Sequence, residues 1–383
     1  MSRPTVLVAG GGTGGHVFPA VAVAEAMQSI AEVDVVFCGT PRGIEGRVVP
    51  ARGWRLELLD VEPMKGGGAA RAVRGALVAT RATGDALRLV RALRPAAVLS
   101  VGGYASGPVT LAAALLGVRV AVLEPNSVVG LANRLLAPFA RRAYVAWPDA
   151  ATRFRPSARR VLGVPLRSGF RPQPYAARGT ARVVVLGGSQ GAAALNDRMP
   201  EVAARLRDVS VLEVLHQAGR DRDEAVRAAY AREGVERVSV VPFVEDVARV
   251  IADADVVVAR SGASTLAEIT AIGRAAVLVP FPHAADDHQA RNAEALARAG
   301  GAVCIRQEAA DAVRLASEIR RLLDSDAARV AMADASRACG KPDAAHDVGA
   351  DLLALAGIDG RRRAAAAVNG ATRPHASAAQ EVR

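Results

Sequence analysis

Apolar and polar positions alternate in blocks along most of this chain. Short runs rich in Val, Leu, Ile and Ala are separated by helix-length stretches with apolar residues on one face. Such runs are typical of strands buried on both faces of a parallel sheet, with helices between them. The predicted strands lie at 5–9, 33–38, 56–60, 97–101, 118–123 and 142–145, and at 182–186, 209–214, 238–241, 255–259, 276–279 and 302–305.

This order predicts an α/β fold of two successive doubly wound, Rossmann-like domains. The length of 383 residues suits two such domains better than one core. We assign 1–160 to the first and 161–360 to the second, and expect the polar, Ala-rich end, 361–383, to be disordered. Residues 148–181, rich in Pro and Arg, indicate a linker with a short strand near Val161. Because open α/β sheets bind ligands at the carboxyl ends of their strands, we expect the site in a cleft between the domains.

Composition narrows the class of protein. The net charge is +11, and the excess lies in 1–167 and 361–383, whereas 168–360 is mildly acidic. Aromatic residues make up 3% and no nucleic-acid motif is present, so we expect an anionic lipid surface rather than nucleic acid as a partner. No apolar run approaches the ~20 residues that span a bilayer, and we expect no signal peptide. Three separated cysteines indicate a reducing compartment.

The first predicted strand leads into a glycine-rich loop, Gly10-Gly11-Gly12-Thr13-Gly14-Gly15-His16, and then a helix. Glycines allow the backbone to approach a ligand, and the start of a helix attracts an anion. The loop fits the dinucleotide fingerprint formally, but the second strand ends at Gly39-Thr40 without the acid that binds ribose. A nicotinamide or flavin cofactor is therefore disfavoured, although the loop alone is also compatible with a plain βα turn.

Two more loops of this kind follow in the second half. Residues 187–191 are Gly-Gly-Ser-Gln-Gly after a strand, and 260–268 run from Arg260 through Ser264 to Glu268. Glu268 lies about one turn into the predicted helix, where a carboxylate can bind the two hydroxyls of a ribose. Two helix starts and one acid in one domain indicate a nucleoside diphosphate.

Seven segments together resemble one family. They are GGGTGGHVFPA (10–20), VGGYASGP (101–108), LEPNSVVGLANRLLA (123–137), GVPLR (163–167), LGGSQGAAALN (186–196), ARSGASTLAEI (259–269) and PFPHAADDHQARNAEAL (280–296). In order and spacing they resemble the MurG family of N-acetylglucosaminyltransferases, which convert lipid I to lipid II in peptidoglycan synthesis. The resemblance covers about residues 4 to 355 and implies a GT-B fold, an inverting mechanism and no metal or other cofactor.

The resemblance also implies a donor site for UDP-N-acetylglucosamine, mainly in the second domain. It assigns the diphosphate to Ser189 and to the backbone N–H groups of Ala263 and Ser264, with Glu268 on the ribose and backbone groups of Val244 on uracil. Gln289 is assigned to sugar hydroxyls, and the remaining assigned residues are Asn126, Arg167, Thr265, Leu266 and Ala267.

The acceptor hydroxyl, C4–OH of the N-acetylmuramoyl unit of lipid I, needs a general base. His16 is the first candidate, and the alternative for it is a helix cap or a phosphate ligand. Glu124 is the second, and the alternative for it is to orient the 123–133 loop. Tyr104 is assigned to the acceptor side, and Thr13, Gly14 and Gly15 are assigned to the diphosphates.

The chain departs from the family pattern at two positions. Val164 stands where many members have Asn, and His288 stands where Gln is common, which leaves the role of His288 open. Asp253-x-Asp255 resembles a metal-binding DxD motif, but it precedes its strand, and we interpret it as a helix end and the start of that strand. His216, His283 and His288 do not form a ligand set, so we predict no metal site.

Residues 65–94 indicate contact with a membrane. This segment contains seven basic residues, from Lys65 to Arg94, and the single acid Asp85, with Val and Leu residues between them. This is the pattern of a basic amphipathic helix, which would hold the enzyme on the cytoplasmic face of the inner membrane as a peripheral protein. The alternative is a solvated helix packed on its own sheet. Two other functions remain open, namely a transferase of this fold with another lipid acceptor and a non-catalytic binder of UDP-sugars.

Overall fold

The computed structural model describes residues 3–61, 69–103, 105–175, 181–188, 191–209 and 211–359, with side chains of the helix at 69–93 described from 81 onward. Within these ranges the chain forms thirteen strands. They are β1 (Thr5–Ala9), β2 (Asp34–Gly39), β3 (Arg55–Leu58), β4 (Ala97–Ser100), β5 (Arg119–Glu124), β6 (Arg142–Val145), β7 (Arg159–Val161), β8 (Ala181–Leu186), β9 (Leu212–Gln217), β10 (Val238–Val241), β11 (Val256–Ala259), β12 (Ala275–Leu278) and β13 (Val303–Cys304).

The helices lie between the strands, as expected for parallel sheets. They are α1 (Gly14–Ile30), α2 (Glu45–Val48), α3 (Ala69–Leu93), α4 (Ser106–Leu115), α5 (Leu131–Leu136), α6 (Pro148–Ala151), α7 (Ala193–Arg205), α8 (Asp223–Arg232), α9 (Val247–Ala252), α10 (Ala263–Ile272), α11 (His288–Arg298), α12 (Ala312–Leu323), α13 (Asp326–Cys339) and α14 (Ala344–Ala356). Short 3-10 helices occur at Pro50–Arg52, Ala137–Phe139, Pro156–Ala158, Ala285–Asp287 and Gln307–Ala309.

Two parallel sheets confirm the predicted fold class. The first has seven strands in the order β3-β2-β1-β4-β5-β6-β7, and the second has six in the order β10-β9-β8-β11-β12-β13. Buried apolar side chains cover both faces of each sheet, so each domain has three layers. The strand order reverses between β1 and β4 and again between β8 and β11. The crevices at these two points are where ligands of open sheets bind.

The predicted strands agree closely with the observed ones, and β9 shows the largest shift, starting at Leu212 rather than 209. The short strand predicted near Val161 is confirmed as β7, but the rest of 148–161 is not a linker. Residues 148–161 form α6, a 3-10 helix and β7, and β7 pairs with β6 as the edge of the first sheet. The Pro and Arg residues that suggested a linker lie in turns around this edge.

The last helix, α14, packs on the first domain although it follows the second. Val348 and Leu352 are fully buried in the core beneath the first sheet. Gly349 lies so close to α1 that a Cβ there would be 3.2 Å from the Cβ of Ala26. Asp351 accepts hydrogen bonds from Arg142 Nε at 2.9 Å and from the Tyr144 hydroxyl at 2.8 Å. The range predicted for the second domain, 161–360, therefore includes a helix that completes the core of the first.

Candidate functional site

Two glycine loops of the first domain touch each other at its switch point. Gly11 N–H donates to Gly102 O at 3.1 Å. A Cβ at Gly10 would lie 2.0 Å from Gly102 O, and one at Gly103 would lie 2.5 Å from Gly11 O. Both contacts would be clashes, and Gly10, Gly102 and Gly103 have φ values of 126°, 85° and 87°. Glycine is required here because two backbones must pass without side chains.

Glu45, which is not among the residues predicted for the site, supports the first loop. The residue is 1% exposed, and its carboxylate accepts hydrogen bonds from Gly12 N at 2.7 Å and Thr40 N at 2.9 Å. A Cβ at Gly11, Gly39 or Gly43 would lie within 2.5 Å of the Glu45 side chain. The signal in the sequence is a single acid among glycines in the turn at 39–46. Glu45 fixes the loop that carries His16.

His16 lies at the start of α1 and is held in one tautomer. Its Nδ1 is 3.3 Å from Gly11 O, which can only accept, so Nδ1 carries the proton. Nε2 has no hydrogen-bond partner within the described residues and is left as a free acceptor. Burial lowers the pKa of His16 below 6.5, against the opposing effect of Glu124. The imidazole is therefore neutral at neutral pH and can accept a proton, as a general base must.

The amino end of α1 also places the other assigned residues of this loop. Thr13 is the residue before the helix, and Gly14 and Gly15 are its first two residues. Their N–H groups precede the first intrahelical bonds, since His16 N and Val17 N both donate to Thr13 O. This helix start can receive an anion. Tyr104, assigned to the acceptor side, lies outside the described residues.

Glu124, at the end of β5, is 2% exposed and fully occupied with its own loop. Its Oε1 accepts from Asn126 N at 3.1 Å and Asn126 Nδ2 at 3.2 Å. Its Oε2 accepts from Gly130 N at 2.9 Å and Asn133 Nδ2 at 3.0 Å. Four donors leave no acceptor position for a substrate proton, so these contacts favour the loop-orienting role over the base. Asn126 keeps its Oδ1 free of partners within the described residues.

The two domains meet at this loop. Ser127 N–H donates to Asn292 Oδ1 on α11 at 2.9 Å, and Arg134 on α5 lies 3.2 Å from the carboxylate of Asp286. Gln289, assigned to the sugar, is on the same helix as Asn292. Its Oε1 accepts from Phe281 N at 3.1 Å and its backbone O accepts from Ser261 Oγ at 2.8 Å. Its side-chain amide N–H groups have no partner among the residues that the structure describes and are left for a ligand.

The glycine loop of the second domain rests on a buried hydrogen-bonded chain. A Cβ at Gly191 would lie 2.1 Å from Ala218 O, which accepts from Asn196 Nδ2 at 2.9 Å. Asn196 Oδ1 therefore accepts from His216 Nε2 at 3.1 Å, and His216 Nδ1 accepts from the Tyr230 hydroxyl at 2.9 Å. Burial lowers the pKa of His216 to about 4, so it stays neutral. Ser189, the diphosphate ligand assigned in this loop, lies outside the described residues.

The amino end of α10 is the second helix start in this domain. Leu266 N donates to Gly262 O at 3.0 Å, so the N–H groups of Ala263, Ser264 and Thr265 precede the intrahelical bonds. Ser264 Oγ is buried and has no hydrogen-bond partner among the described residues. An oxyanion placed here would satisfy these donors. Leu266 is 2% exposed and packs in the core with Ala267 against it, so their side chains are structural.

Glu268, one turn into α10, is half-buried and makes no hydrogen bond to any described residue. Burial raises its pKa to about 7, and Arg167 opposes this effect by its charge. An unpartnered carboxylate in such a position is suited to accept two hydroxyl donors. Arg167 is exposed, with its guanidinium carbon 5.7 Å from the Phe170 ring centroid.

Val244 follows β10, and the exposed Phe243 precedes it. Val244 is 6% exposed, and its backbone N–H and C=O have no hydrogen-bond partner within the described ranges. Paired donor and acceptor groups on a backbone can recognise the edge of a pyrimidine.

Of the two residues that depart from the family pattern, one is buried and the other is hydrogen-bonded to a backbone oxygen. Val164 is buried at 4% exposure. His288 Nδ1 is 2.7 Å from Ala285 O, and its charge, when present, acts on His16 across the cleft. His288 follows Asp286 and Asp287, which both have positive φ.

The predicted DxD interpretation is confirmed. Asp253 caps α9, and Asp255 accepts from the Tyr175 hydroxyl at 2.5 Å and from Arg182 N at 2.6 Å, before β11 begins. Both residues lie at the end of the sheet opposite the glycine loops. Within the described residues no group of three or more His, Cys, Asp and Glu could hold a metal ion.

The described part of α3 differs from the amphipathic membrane helix that was predicted. Ala82, Ala86 and Val90 are buried on the first sheet, with leucines of the same helix packed beside them. The apolar side of this part therefore belongs to the core, and its exposed side is mostly basic. Exposed arginines are Arg81, Arg88, Arg91 and Arg94. Among the helices that the structure describes, none is long and apolar enough to cross a membrane.

The exposed apolar side chains of the first domain include three on α5 and the turn after it. Leu131 and Leu135 are 65% and 68% exposed, and Phe139 is 43% exposed. The two leucines are four residues apart and share one face of the helix. The first domain thus presents both basic and apolar groups to its surroundings.

Comparison with known proteins is consistent with this site. The model of the glycosyltransferase family 28 N-terminal domain matches residues 6–145, and that of the C-terminal domain matches 182–348. A Sorangium cellulosum protein is 57% identical over 358 residues, covering 92% of this chain and 88% of its own. An Acidithiobacillus ferrooxidans protein is 42% identical over 359 residues, covering 92% and 98%. Both are named UDP-N-acetylglucosamine--N-acetylmuramyl-(pentapeptide) pyrophosphoryl-undecaprenol N-acetylglucosamine transferase.

Solved structures agree with this. The crystal structure of Acinetobacter baumannii MurG has a TM-score of 0.76 at 33% identity, covering 92% of this chain and 99% of that one. The glycosyltransferase of kitacinnamycin, with a TM-score of 0.65 at 18% identity and coverage of 92% and 100%, shares the fold. Sequence identity and coverage at these levels show that the chain belongs to the MurG family, within glycosyltransferase family 28.

Proposed function

We propose that this protein transfers N-acetylglucosamine from UDP-N-acetylglucosamine to the C4 hydroxyl of the N-acetylmuramoyl unit of lipid I, giving lipid II. The names of the relatives describe this reaction. The observation that carries the proposal is the composition of the cleft. A neutral His16 lies on the first domain, and the unpartnered Ser264 and Glu268 lie on the second.

The donor binds through groups that lack partners in the free protein. Its diphosphate lies at the amino end of α10, against the N–H groups of Ala263 to Thr265 and the Ser264 hydroxyl. Glu268 accepts from the ribose hydroxyls, and Val244 pairs with uracil. Gln289 and Asn126 hold the sugar from opposite sides of the cleft, since the loop at 124–130 is bonded to α11.

The reaction needs a proton acceptor and a stabilised leaving group. His16 Nε2 takes the proton of the C4 hydroxyl as this oxygen attacks C1 of the sugar, on the face opposite UDP, so the configuration at C1 inverts. The departing UDP gains negative charge. The helix N–H groups and Arg167 stabilise that charge because they are already oriented before reaction. In this scheme no residue has to bind a metal.

In this proposal the first domain makes the contact with the membrane. Arg81, Arg88 and Arg91 on α3 and Arg94 just after it are exposed, and each basic residue near an anionic surface contributes about 1 kcal/mol. Leu131 and Leu135 add apolar groups that can enter the interface. We place the protein on the cytoplasmic face of the inner membrane, where its lipid-linked acceptor is found.

The test is UDP release by the purified protein from UDP-N-acetylglucosamine, with and without a lipid I analogue, in EDTA. Release that depends on the analogue and persists in EDTA supports the proposal. Release with diacylglycerol but not with the analogue would indicate another lipid acceptor, and binding of the donor without turnover would indicate a non-catalytic protein. Release only after addition of a divalent metal would contradict the mechanism.

Membrane binding is tested separately by co-sedimentation with vesicles. Binding to vesicles containing phosphatidylglycerol should exceed binding to neutral phosphatidylcholine vesicles and should weaken in high salt. Arg88→Ser with Arg91→Ser, and separately Leu131→Ser with Leu135→Ser, should each reduce it. The matched control is Arg314→Ser with Arg321→Ser on α12, which removes the same charge from the second domain.

A further inference from the structure

Ser127 connects the two domains at the loop that contacts α11. It belongs to the loop between β5 and α5, and its N–H donates to Asn292 Oδ1 at 2.9 Å. Asn292 is fully buried on α11. The backbone of Ser127 is therefore held by the opposite domain, whereas its side chain keeps its rotation about the Cα–Cβ bond.

The hydroxyl of Ser127 has no partner in this arrangement. Its Oγ is out of contact with solvent and makes no hydrogen bond to any described residue. A buried hydroxyl without a partner disfavours the folded state, so its retention needs an explanation. Ser264 Oγ, at the proposed diphosphate position, is in the same condition. Ser127 on the first domain thus resembles Ser264 on the second domain, whose hydroxyl we assign to the substrate.

The position of Ser127 points to the sugar end of the donor. Asn292 follows Gln289 by three residues, so the two side chains share one face of α11. Gln289 is held by Phe281 N and Ser261 Oγ, and it is the residue assigned to sugar hydroxyls. Glu268 and Val244, which we assign to ribose and uracil, lie on other elements. The group nearest to Ser127 in a bound donor is therefore the N-acetylglucosamine unit.

We propose that the Ser127 hydroxyl binds a polar group of the donor's N-acetylglucosamine and is a specificity-determining residue supplied by the first domain. This inference rests on the proposed function. A serine hydroxyl both donates and accepts, so it suits a sugar hydroxyl or the acetamido group. Binding of the sugar satisfies a group that costs stability in the free enzyme.

The test compares Ser127→Ala with the wild type in three measurements. The KM for UDP-N-acetylglucosamine should rise about 3- to 10-fold, which is the loss of one neutral hydrogen bond. The inhibition constant of UDP, which lacks the sugar, should stay unchanged. The melting temperature of the free enzyme should not fall, because an unpartnered hydroxyl is removed. Ser127→Thr, which keeps the hydroxyl, should retain a KM closer to that of the wild type.

Ser336→Ala is the matched control. Ser336 is fully buried on α13 and its hydroxyl is also without a partner, but it lies outside the cleft. Its removal should leave KM and the UDP inhibition constant unchanged. An unchanged KM in Ser127→Ala would overturn the inference, and so would an equal change in the inhibition constant of UDP. If the wild type proves inactive, the proposed function fails, and calorimetry of UDP-N-acetylglucosamine and UDP binding to both proteins still decides the role of Ser127.

Discussion

Protonation of Glu268 should control donor binding near neutral pH. Burial raises the pKa of this carboxyl to about 7 in the free protein, and only the ionised form can accept from both ribose hydroxyls. A carboxyl with this pKa is about nine-tenths protonated at pH 6 and about nine-tenths ionised at pH 8. The dissociation constant of UDP-N-acetylglucosamine should therefore be about tenfold higher at pH 6 than at pH 8.

The assay is isothermal titration calorimetry across this pH range. UDP-N-acetylglucosamine is the proper ligand because both of its phosphates stay ionised there, whereas the terminal phosphate of UDP titrates near pH ~6. Glu268→Gln keeps the shape of the side chain but cannot ionise. The variant should therefore bind UDP-N-acetylglucosamine more weakly and should lack the pH dependence that Glu268 gives to the wild type. A wild-type dissociation constant that is flat between pH 6 and pH 8 would refute the reasoning, as would the same slope in the variant.

The same residue predicts an effect on stability with a definite sign. Its pKa is higher in the folded protein, about 7, than the ordinary 4.5, so its stabilising effect is present at low pH and is lost as the pH rises through this interval. Glu268→Gln should therefore raise the free energy of unfolding at pH 8 by about 1–2 kcal/mol, after allowing for solvent screening, and change it little at pH 4. A melting temperature of Glu268→Gln that is lower than that of the wild type at pH 8 would contradict this.

Three further variants test the remaining parts of the site. His16→Ala should lower kcat by about 10²–10⁴-fold. At saturating donor, where ionisation of Glu268 no longer limits binding, it should also abolish the acid limb of kcat/KM for the acceptor, which lies below pH 6.5 in the wild type because burial lowers the pKa of His16. A limb retained under these conditions would exclude His16 as the base. Glu124→Gln should lower stability by about 1–3 kcal/mol and raise the donor KM, because the loop loses two hydrogen-bond acceptors. A variant that loses kcat alone would instead indicate that Glu124 is the base. Tyr230→Phe leaves His216 Nδ1 unpaired and should raise the KM of the donor but not of the acceptor, as steady-state kinetics with each substrate varied will show.

Much of the fold could be predicted because strand residues are buried on both faces. Runs such as Val6–Val8 must be apolar at every position, so they stand out from the amphipathic helices. The glycine loops were also visible, because close contact between Gly10 and the backbone at Gly102 excludes any side chain. Each requirement restricts the residue types within a short segment and therefore leaves a local pattern, even where the contact itself joins distant segments, as it does for Gly10 and Gly102.

Other features depend on contacts between distant parts of the chain. Asp351 lies more than 200 positions from Tyr144, and nothing in either segment indicates that they bond. The apolar residues of α3 were expected to face a membrane, since a pattern of apolar and basic positions does not specify which surface covers the apolar side. The saturation of Glu124 by Asn126, Gly130 and Asn133 likewise depends on the path of the loop.

The packing of α14 on the first domain affects how the chain folds during synthesis. The core beneath the first sheet includes Val348 and Leu352 beside Val23 and Met27, yet these segments are translated more than 300 residues apart. The first domain therefore leaves the ribosome with an apolar surface uncovered on α1. It stays incomplete until the second domain has been synthesised, although domains usually fold in order from the amino end. Deletion of α14 should thus destabilise the domain that was made first.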